Sequence, residues 1–456
     1  MLRSLLLAVP FALGVGPGRA AETTTVTPDQ LRALAGQAVV SGSPRTARDM
    51  TRALLQRDPG DVEALLIDSR ANRDLGEYKP ALASARQAWK LARLPERKFA
   101  AAMAMAQAQS SAGRRTAAQV WLRRAAQVAP DDRARALVAR DYRYLRKVNP
   151  LSVHLSFGIA PESNINDGSA HEVVEIEALP GIVLPVRLAG SALPLSGLKI
   201  SSGIDLRYRV AQTSTAATDL TFAASRNDYV LSSEAKQRAP GVSASEFTFA
   251  RSTVGLTRRF MSPKSLRETT LSFQGGMTWY GEQHYSNLLR LSFTQSKPVS
   301  RVARVSYGAA AERVTGPRAP HADVVQANLG YGTRLGNGGF LSLSARVAKS
   351  DSDITSADFR EASAGLRYAP PKPVLGTQTS FGLSLRQRHY PTSPHVPGGG
   401  ARNDREVTAS MTMTFDKLDY FGFHPTMTLS ASRKTSNADR FDVDNIGLSV
   451  GIRSSF

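Results

Sequence analysis

The sequence predicts an α+β chain of two domains, in which an N-terminal α-helical solenoid is followed by a C-terminal 14-stranded antiparallel transmembrane β-barrel. Three observations predict it. An alanine- and arginine-rich first part repeats with a 34-residue period, and the second part alternates apolar and polar residues in fourteen segments. The last segment keeps this alternation up to the final Phe456. The predicted domains are a signal peptide at 1–20, the helical domain at 21–149 and the barrel at 150–456.

Composition limits what these domains contain. The chain of 456 residues is long enough for both, and no stretch approaches the roughly 18 apolar residues of a membrane-spanning helix. Cysteine is absent, which excludes disulfides, a thiol nucleophile and thiolate metal sites. The net charge of +20 favours an acidic partner such as nucleic acid, anionic lipid or an acidic protein. Nucleic acid is disfavoured because the basic residues are spread along the chain and the N-terminus is typical of an exported protein.

The N-terminus has the three parts of a signal peptide. Arg3 supplies the positive charge, Leu5–Val15 forms a short apolar core, and Gly18–Ala20 provides small residues around a cleavage site. The apolar core is too short to act as a membrane anchor. We therefore expect cleavage after Ala20 and export of the mature chain.

The helical part repeats a glycine at 34-residue spacing, with an alanine five residues after each glycine and about three extra residues before the third copy. Helix–turn–helix units of this length, with small residues where the helices cross, are the tetratricopeptide signature. Two interpretations remain open: a periplasmic spacer or assembly handle, and a docking surface for a client polypeptide. The residues assigned to turns and helix packing are Gly42, Ala47, Gly76, Ala81, Gly113 and Ala118.

After Asn149 and Pro150 the pattern changes from helical spacing to alternation, which predicts the start of the barrel. An even number of strands is typical of single-chain bacterial barrels. Long connections at 167–197, 227–245 and 391–401 are expected outside the cell, and the first is apolar enough to plug the barrel or pack on its rim. The predicted strands are 151–160, 198–212, 215–226, 246–260, 267–281, 284–297, 301–313, 322–335, 338–350, 357–369, 375–390, 402–418, 423–435 and 440–456.

Arginines alternate with apolar residues in several strands, so they are expected to face the lumen: Arg207, Arg209, Arg386 and Arg453. They could line a path through the barrel. Alternatively, they are the ordinary charges of a water-filled lumen, paired with acids such as Asp205.

The last strand places Leu448, Val450, Ile452 and Phe456 on one face, with small and polar residues on the other. A terminal aromatic after such a strand resembles the signal by which outer-membrane barrels are recognised for assembly. Ser454 departs from that pattern, since a larger apolar residue is usual there.

Catalytic motifs are missing from the sequence. The seven histidines are scattered without metal-ligand spacing, and there is no GxSxG motif or phosphate-binding loop. We expect neither an enzyme nor a bound cofactor or metal.

Two stretches resemble the surface lipoprotein assembly modifier (Slam) family. Phe157–Asn166 is similar to the phrase that opens the family's barrel, with Pro161, Ser163, Asn164 and Asn166 as its junction motif. Gly422–Phe456 looks like the family's last two strands. For Asn164 and Asn166 we expect a structural role, hydrogen bonding to the backbone where the chain turns.

The resemblance implies an outer-membrane translocator of a Gram-negative bacterium, with its helical domain in the periplasm. Its clients would be surface lipoproteins or secreted haem- and metal-binding proteins, often encoded nearby. Other implied partners are outer-membrane lipids, the barrel assembly machinery and periplasmic chaperones, and the protein is expected to be a monomer. Two alternatives remain: a polysaccharide-export channel with periplasmic tetratricopeptide repeats, and a plain diffusion porin.

Overall fold

The computed structural model describes residues 26–179, 181–418, 420 and 423–454. The predicted signal peptide and the terminal Phe456 lie outside these residues. The chain forms two compact units that divide between Arg114 and Arg115. The predicted domain boundary at 149 and 150 is where the last helix gives way to the first strand.

The first unit consists of helices whose starts are set by caps and prolines. Thr27 forms a capping box with Gln30, and the Asp61 carboxylate accepts from the backbone N–H of Ala64 at 3.0 Å. None of the helices in the described residues has the length and apolarity needed to cross a membrane. The helices are α1 (Pro28–Val40), α2 (Pro44–Arg57), α3 (Val62–Asp74), α4 (Tyr78–Leu91) and α5 (Pro95–Ser111).

Glycine at the helix turns and alanine at the helix crossings explain the repeat. Gly42 and Gly76 have φ values of 78° and 80°. This left-handed conformation is unfavourable for residues that carry a Cβ atom, and glycine adopts it without that penalty. Ala47 and Ala81 are fully buried, so the helices approach closely. Arg32 reaches Asp61 at 2.7 Å. Burial raises the pKa of Asp61, but its bonds from Ala64 and Arg32 more than offset this, and the pKa lies below its ordinary value.

The second unit begins with two helices and continues as a sheet. α6 (Arg115–Gln127) is followed by α7 (Asp132–Val148), which Asp131 caps through the N–H of Ala134 at 2.7 Å. The strands are β1 (Leu151–Glu162), β2 (Val173–Leu179), β3 (Ile182–Arg187), β4 (Gly197–Gln212), β5 (Ala216–Leu231), β6 (Phe249–Ser262), β7 (Arg267–Tyr280), β8 (Gln283–Pro298), β9 (Ala303–Thr315), β10 (Ala322–Arg334), β11 (Phe340–Asp351), β12 (Phe359–Ala369), β13 (Gln378–Tyr390), β14 (Arg402–Thr414), β15 (Phe423–Ser436) and β16 (Val443–Ser454). A short helix α8 (Ser233–Arg238) lies between β5 and β6.

Fourteen of these described strands close into one antiparallel barrel in which β1 pairs with both β16 and β4. β2 and β3 form a separate hairpin. The predicted fold class, a helical solenoid followed by a 14-stranded barrel, is confirmed. The predicted strand at 402–418 is too long by four residues, and the one at 215–226 is too short by five.

The register fixes which side chains face out. Exposed apolar residues alternate along each strand, as in Leu155 and Phe157 of β1 or Leu383 and Leu385 of β13, and they form the outer surface. The opposite set faces the lumen. We call the two rims the turn end, where α7 enters β1 and most connections are short, and the loop end, which carries the connections 163–196, 232–248 and 391–401.

Candidate functional site in the barrel lumen

The arginines predicted to face the lumen lie opposite the apolar outer set. Arg207 and Arg209 alternate on β4 with the exposed Tyr208 and Val210. Arg386 on β13 pairs in register with Glu406 on β14. Arg453 lies on β16 opposite His424 in register, and its side chain is outside the described set.

One buried carboxylate gathers three of the lumen's cations at the turn end. Asp219 is fully buried. It accepts from Arg209 and from Arg259 of the neighbouring β6, and Arg207 lies 3.8 Å away. Asp205 was expected as an example of a pairing acid, but the carboxylate between these arginines is Asp219.

Further up the lumen, cations and acids pair across neighbouring strands. Arg290 binds Glu312 at 3.0 Å, Arg388 binds Glu361 at 2.5 Å, and Arg386 binds Glu406. Such pairs stabilise adjacent strands and place charge on the wall. Among the described side chains, Arg251 and Arg346 face the lumen without a carboxylate within 4.0 Å, so the lining retains positive charge.

The junction motif shapes the first loop at the loop end. The Asn164 amide donates to the carbonyl of Gly168 at 2.9 Å, and its oxygen accepts from the N–H of Gly168 at 2.8 Å. The Asn166 amide donates to the carbonyl of Leu193 at 2.9 Å, and its oxygen accepts from the N–H of Leu195 at 2.8 Å. Both side chains therefore serve the backbone of the loop, while Pro161 lies within β1.

Ser163 connects this loop to the last strand. Its hydroxyl accepts from the N–H of Ile446 at 2.9 Å, and its own N–H donates to the carbonyl of Ile446 at 3.1 Å. Farther along the loop, the N–H of Ala170 donates to the carbonyl of Asp442 at 2.7 Å. The β1–β4 and β15–β16 connections are thus bonded together.

The β2–β3 hairpin extends these contacts to a third loop. The Glu177 carboxylate accepts from the N–H of Gly181 at 2.6 Å and from the N–H of Gly398, in the β13–β14 connection. The bond from Gly181 and then the bond from Gly398 lower the pKa of Glu177, since both favour the charged form. The carboxylate thus joins the hairpin to a loop three strands away around the barrel.

An apolar cluster joins the fourth loop. Ile165 and Leu195 of the β1–β4 connection pack with Leu231 at the end of β5 and with Ala235 and Ala239 of the β5–β6 connection. The first long connection therefore packs on the rim, one of its two predicted positions. We call the bonded connections 163–196, 232–248, 391–401 and 437–442 the cap. They belong to eight of the fourteen described barrel strands, β13–β16, β1 and β4–β6.

At the turn end, α6 contacts the barrel. The Arg123 guanidinium lies over the ring of Phe423, the first residue of β15, at 4.5 Å, and donates to the Tyr142 hydroxyl at 3.1 Å. Ala118 is fully buried in α6, and Gly113 has a φ of 75°. These positions match the last turn and packing site of the helical pattern.

The residues of the predicted assembly signal lie on the outward face of β16. Leu448, Val450 and Ile452 stand opposite Leu429, Met427 and Pro425 of β15. Phe456 lies outside the described residues.

A comparison with known protein families finds a match in the second half of the barrel. Residues 344–450 match the family model described as "Surface lipoprotein assembly modifier". The match covers β11 to most of β16 and includes the first part of the predicted C-terminal resemblance, whereas the junction motif lies outside it. The closed barrel and this match together support an outer-membrane protein involved in surface lipoprotein assembly.

Solved structures are similar to parts of this chain. The Yersinia enterocolitica type III secretion translocator chaperone SycD is 18% identical and covers 29% of this chain and 95% of its own, with a TM-score of 0.24. Acinetobacter baumannii OccAB3 is 8% identical over 66% of this chain and 98% of its own, with a TM-score of 0.35. Pseudomonas aeruginosa OccK10 (OpdN) is 11% identical over 67% and 99%, with a TM-score of 0.33. A search of curated proteins finds no match.

Two features escaped the sequence reasoning. Asp219 was missed because a β-bulge between Arg209 and Ala211 shifts the register of β4 against β5. The bulge therefore decides which acid lies opposite Arg209. The β2–β3 hairpin was missed although its first strand alternates, with Glu175 after Val174 and Glu177 after Ile176. That alternation was a usable signal.

Proposed function

We propose that this protein moves client proteins across the outer membrane, the clients being surface lipoproteins or secreted haem- and metal-binding proteins. The family match at residues 344–450 carries the proposal. We further propose that it acts without enzymatic chemistry or a cofactor. Client folding outside the cell, or handover from periplasmic chaperones, would supply the direction of transport.

The proposed orientation places the loop end outside the cell and the helices in the periplasm. Bacterial barrels have short periplasmic turns and longer extracellular loops. The turn between β4 and β5 spans only residues 213–215, whereas the cap connections lie at the opposite rim. α7 leads into β1 at the turn end, which is the side from which a periplasmic client would arrive.

The cap favours a regulated path over a diffusion porin. Four connections are joined by backbone bonds, an apolar cluster and the Glu177 carboxylate, so the rim above half of the wall is built to hold a fixed position. The positively charged lining would favour acidic client segments. We propose that the client is encoded nearby, and that it is met first by the helices and then by this lining.

The test is co-expression with each neighbouring gene product in a heterologous Gram-negative host, with antibody scoring on intact cells and in the medium. The truncated variant lacks residues 26–114 and keeps α6 and α7, because these belong to the compact unit of the barrel. We expect a client to appear outside with the intact protein and to be retained with the truncated one. Heat-modifiable mobility of both proteins shows that the barrel is folded.

Lumen charge is tested separately. Arg251→Glu and Arg346→Glu reverse cations on the lumen wall, and Arg433→Glu on the outward face of β15 is the matched control. We expect the two lumen variants to slow client appearance and the control to leave it unchanged. If no neighbour is exported while the purified barrel passes small solutes freely, the protein is a porin, and passage of polysaccharide instead identifies an export channel.

A further inference from the structure

The outward surface of the barrel carries a groove across β10, β11, β12 and β13. Its volume is about 640 Å³, within the range of sites that hold an organic ligand. Its outward lining includes Val325, Ala327, Val347, Ala362 and Gln387, and the lining is predominantly apolar. The groove faces lipid, because these residues belong to the outer set by register.

The groove forms because small side chains on neighbouring strands stand directly opposite one another. Ala327 on β10 stands opposite Val347 on β11, which stands opposite Ala362 on β12. One step toward the turn end, the longer Leu329 and Leu385 project from the outer strands. Alanine beside leucine leaves an apolar trough on the outward surface, where an acyl chain can lie.

Cations border this trough on the side of the loop end. Lys349 and Arg360 stand directly opposite each other on β11 and β12, and both are exposed. His389 is the next residue along the same line, on β13. Like charges directly opposite on neighbouring strands destabilise a sheet, and cations on a lipid face are tolerated mainly near the headgroup level. An anion between the two side chains removes both costs.

Of these two cations, only Lys349 has a carboxylate within 4.0 Å among the described side chains. Asp351 lies 3.4 Å from Lys349 and is itself exposed. Arg360 has no carboxylate within 4.0 Å among the described side chains, and neither does the outward Arg405, which stands opposite Gln387 on β14. The border of the groove therefore has a surplus of positive charge toward the membrane.

We propose that this groove is a binding site for a membrane lipid with a phosphate headgroup, the phosphate lying between Lys349 and Arg360 and an acyl chain lying in the trough over Ala327 and Ala362. Charge decides between this occupant and a second copy of the chain. A copy related by two-fold symmetry would bring a second set of the same cations to the contact, whereas a phosphate oxygen accepts charge-assisted bonds from both side chains.

The test uses the full mature protein in detergent with equimolar dioleoylphosphatidylglycerol and dioleoylphosphatidylcholine, and counts bound lipids by native mass spectrometry. The wild-type protein should retain phosphatidylglycerol preferentially. Arg360→Gln should weaken its retention about fivefold, the effect of one cation at a membrane surface. Ala362→Trp should fill the trough and lower the binding of both lipids.

Matched controls lie on the same outward face at β15. Arg433→Gln removes a cation and Ala431→Trp adds bulk, both away from the groove. The proposal is overturned if the groove variants retain lipid as the wild type does, or if the controls lose it equally. It is also overturned if Ala362→Trp converts a dimer to a monomer with lipid retention unchanged, since the groove would then be an interface between copies. Heat-modifiable mobility excludes misfolding, and Arg360→Gln adds no bulk.

Discussion

Substitution of Asp219 by asparagine tests whether this carboxylate holds the turn end of the barrel together. Asp219 is fully buried and lies between Arg207, Arg209 and Arg259. Asparagine keeps the shape and one acceptor oxygen but removes the negative charge. The three guanidinium groups would then face one another without a counter-ion.

The size of the effect follows from the exposure of the partners. Removing one member of a fully buried pair costs about 3–5 kcal/mol, and a hydrogen bond to a charged group contributes about 1.5–3 kcal/mol. The arginine side chains are 21–34% exposed to the lumen, so water screens part of the loss. We therefore expect Asp219→Asn to lower the free energy of unfolding by about 2 kcal/mol.

The assay is urea unfolding of the barrel in phospholipid vesicles, followed by the heat-modifiable shift on gels. Asp205→Asn is the control, because Asp205 also faces the lumen from β4 and has no cation within 4.0 Å among the described side chains. We expect it to change stability by less than about 0.5 kcal/mol. Adding Arg259→Gln to Asp219→Asn should restore part of the loss. Equal urea midpoints for the two single variants would refute the reasoning.

Three further predictions concern the cap and the helices. Gly168→Ala would place a Cβ 2.3 Å from the carbonyl of Leu193, so the cap should open and become sensitive to protease. Glu177→Gln should loosen the hairpin, since one of the two bonds from backbone N–H groups is lost. In the wild type the pKa of Glu177 is lowered, so these bonds should be intact near neutral pH and should weaken as the pH falls through the acid range. Hydrogen exchange of the hairpin amides measures this. Gly76→Ala, at a φ of 80°, should destabilise the first unit by about 1 kcal/mol, whereas Gly36→Ala inside α1 should stabilise it.

Each of these has an outcome that would contradict it. Gly336 has open space around its Cβ position, so Gly336→Ala should leave protease resistance unchanged, and equal cleavage of both glycine variants would rule out the clash. Hairpin amides whose protection, after correction for intrinsic exchange, is the same near neutral pH and well below the ordinary pKa of glutamate would show that Glu177 does not hold the hairpin. Equal effects of the two helical glycine variants on hydrogen exchange in α3 and α4 would show that the turn conformation is not limiting.

Alternation made most of the fold predictable. The period of two in β4 and β13 and the recurrence of glycine and alanine in the helices report local geometry directly. Features that depend on the register of several strands could not be predicted from the sequence. The alanines of the groove come from β10 and β12, and their alignment follows from a register set by turns along the wall. The bonds of Asn164 were anticipated because an asparagine near a turn commonly serves the backbone, but its partners were not.

The bond between Ser163 and Ile446 joins residues 283 positions apart in the chain. Those two segments become neighbours when β16 takes its place beside β1, after twelve other strands have been ordered around the ring. The cap therefore works as a marker of completed assembly. In a time course of insertion, protease resistance of the first long loop should appear last, and a barrel stalled one strand short would be recognised and degraded through that loop while most of its wall is already in lipid.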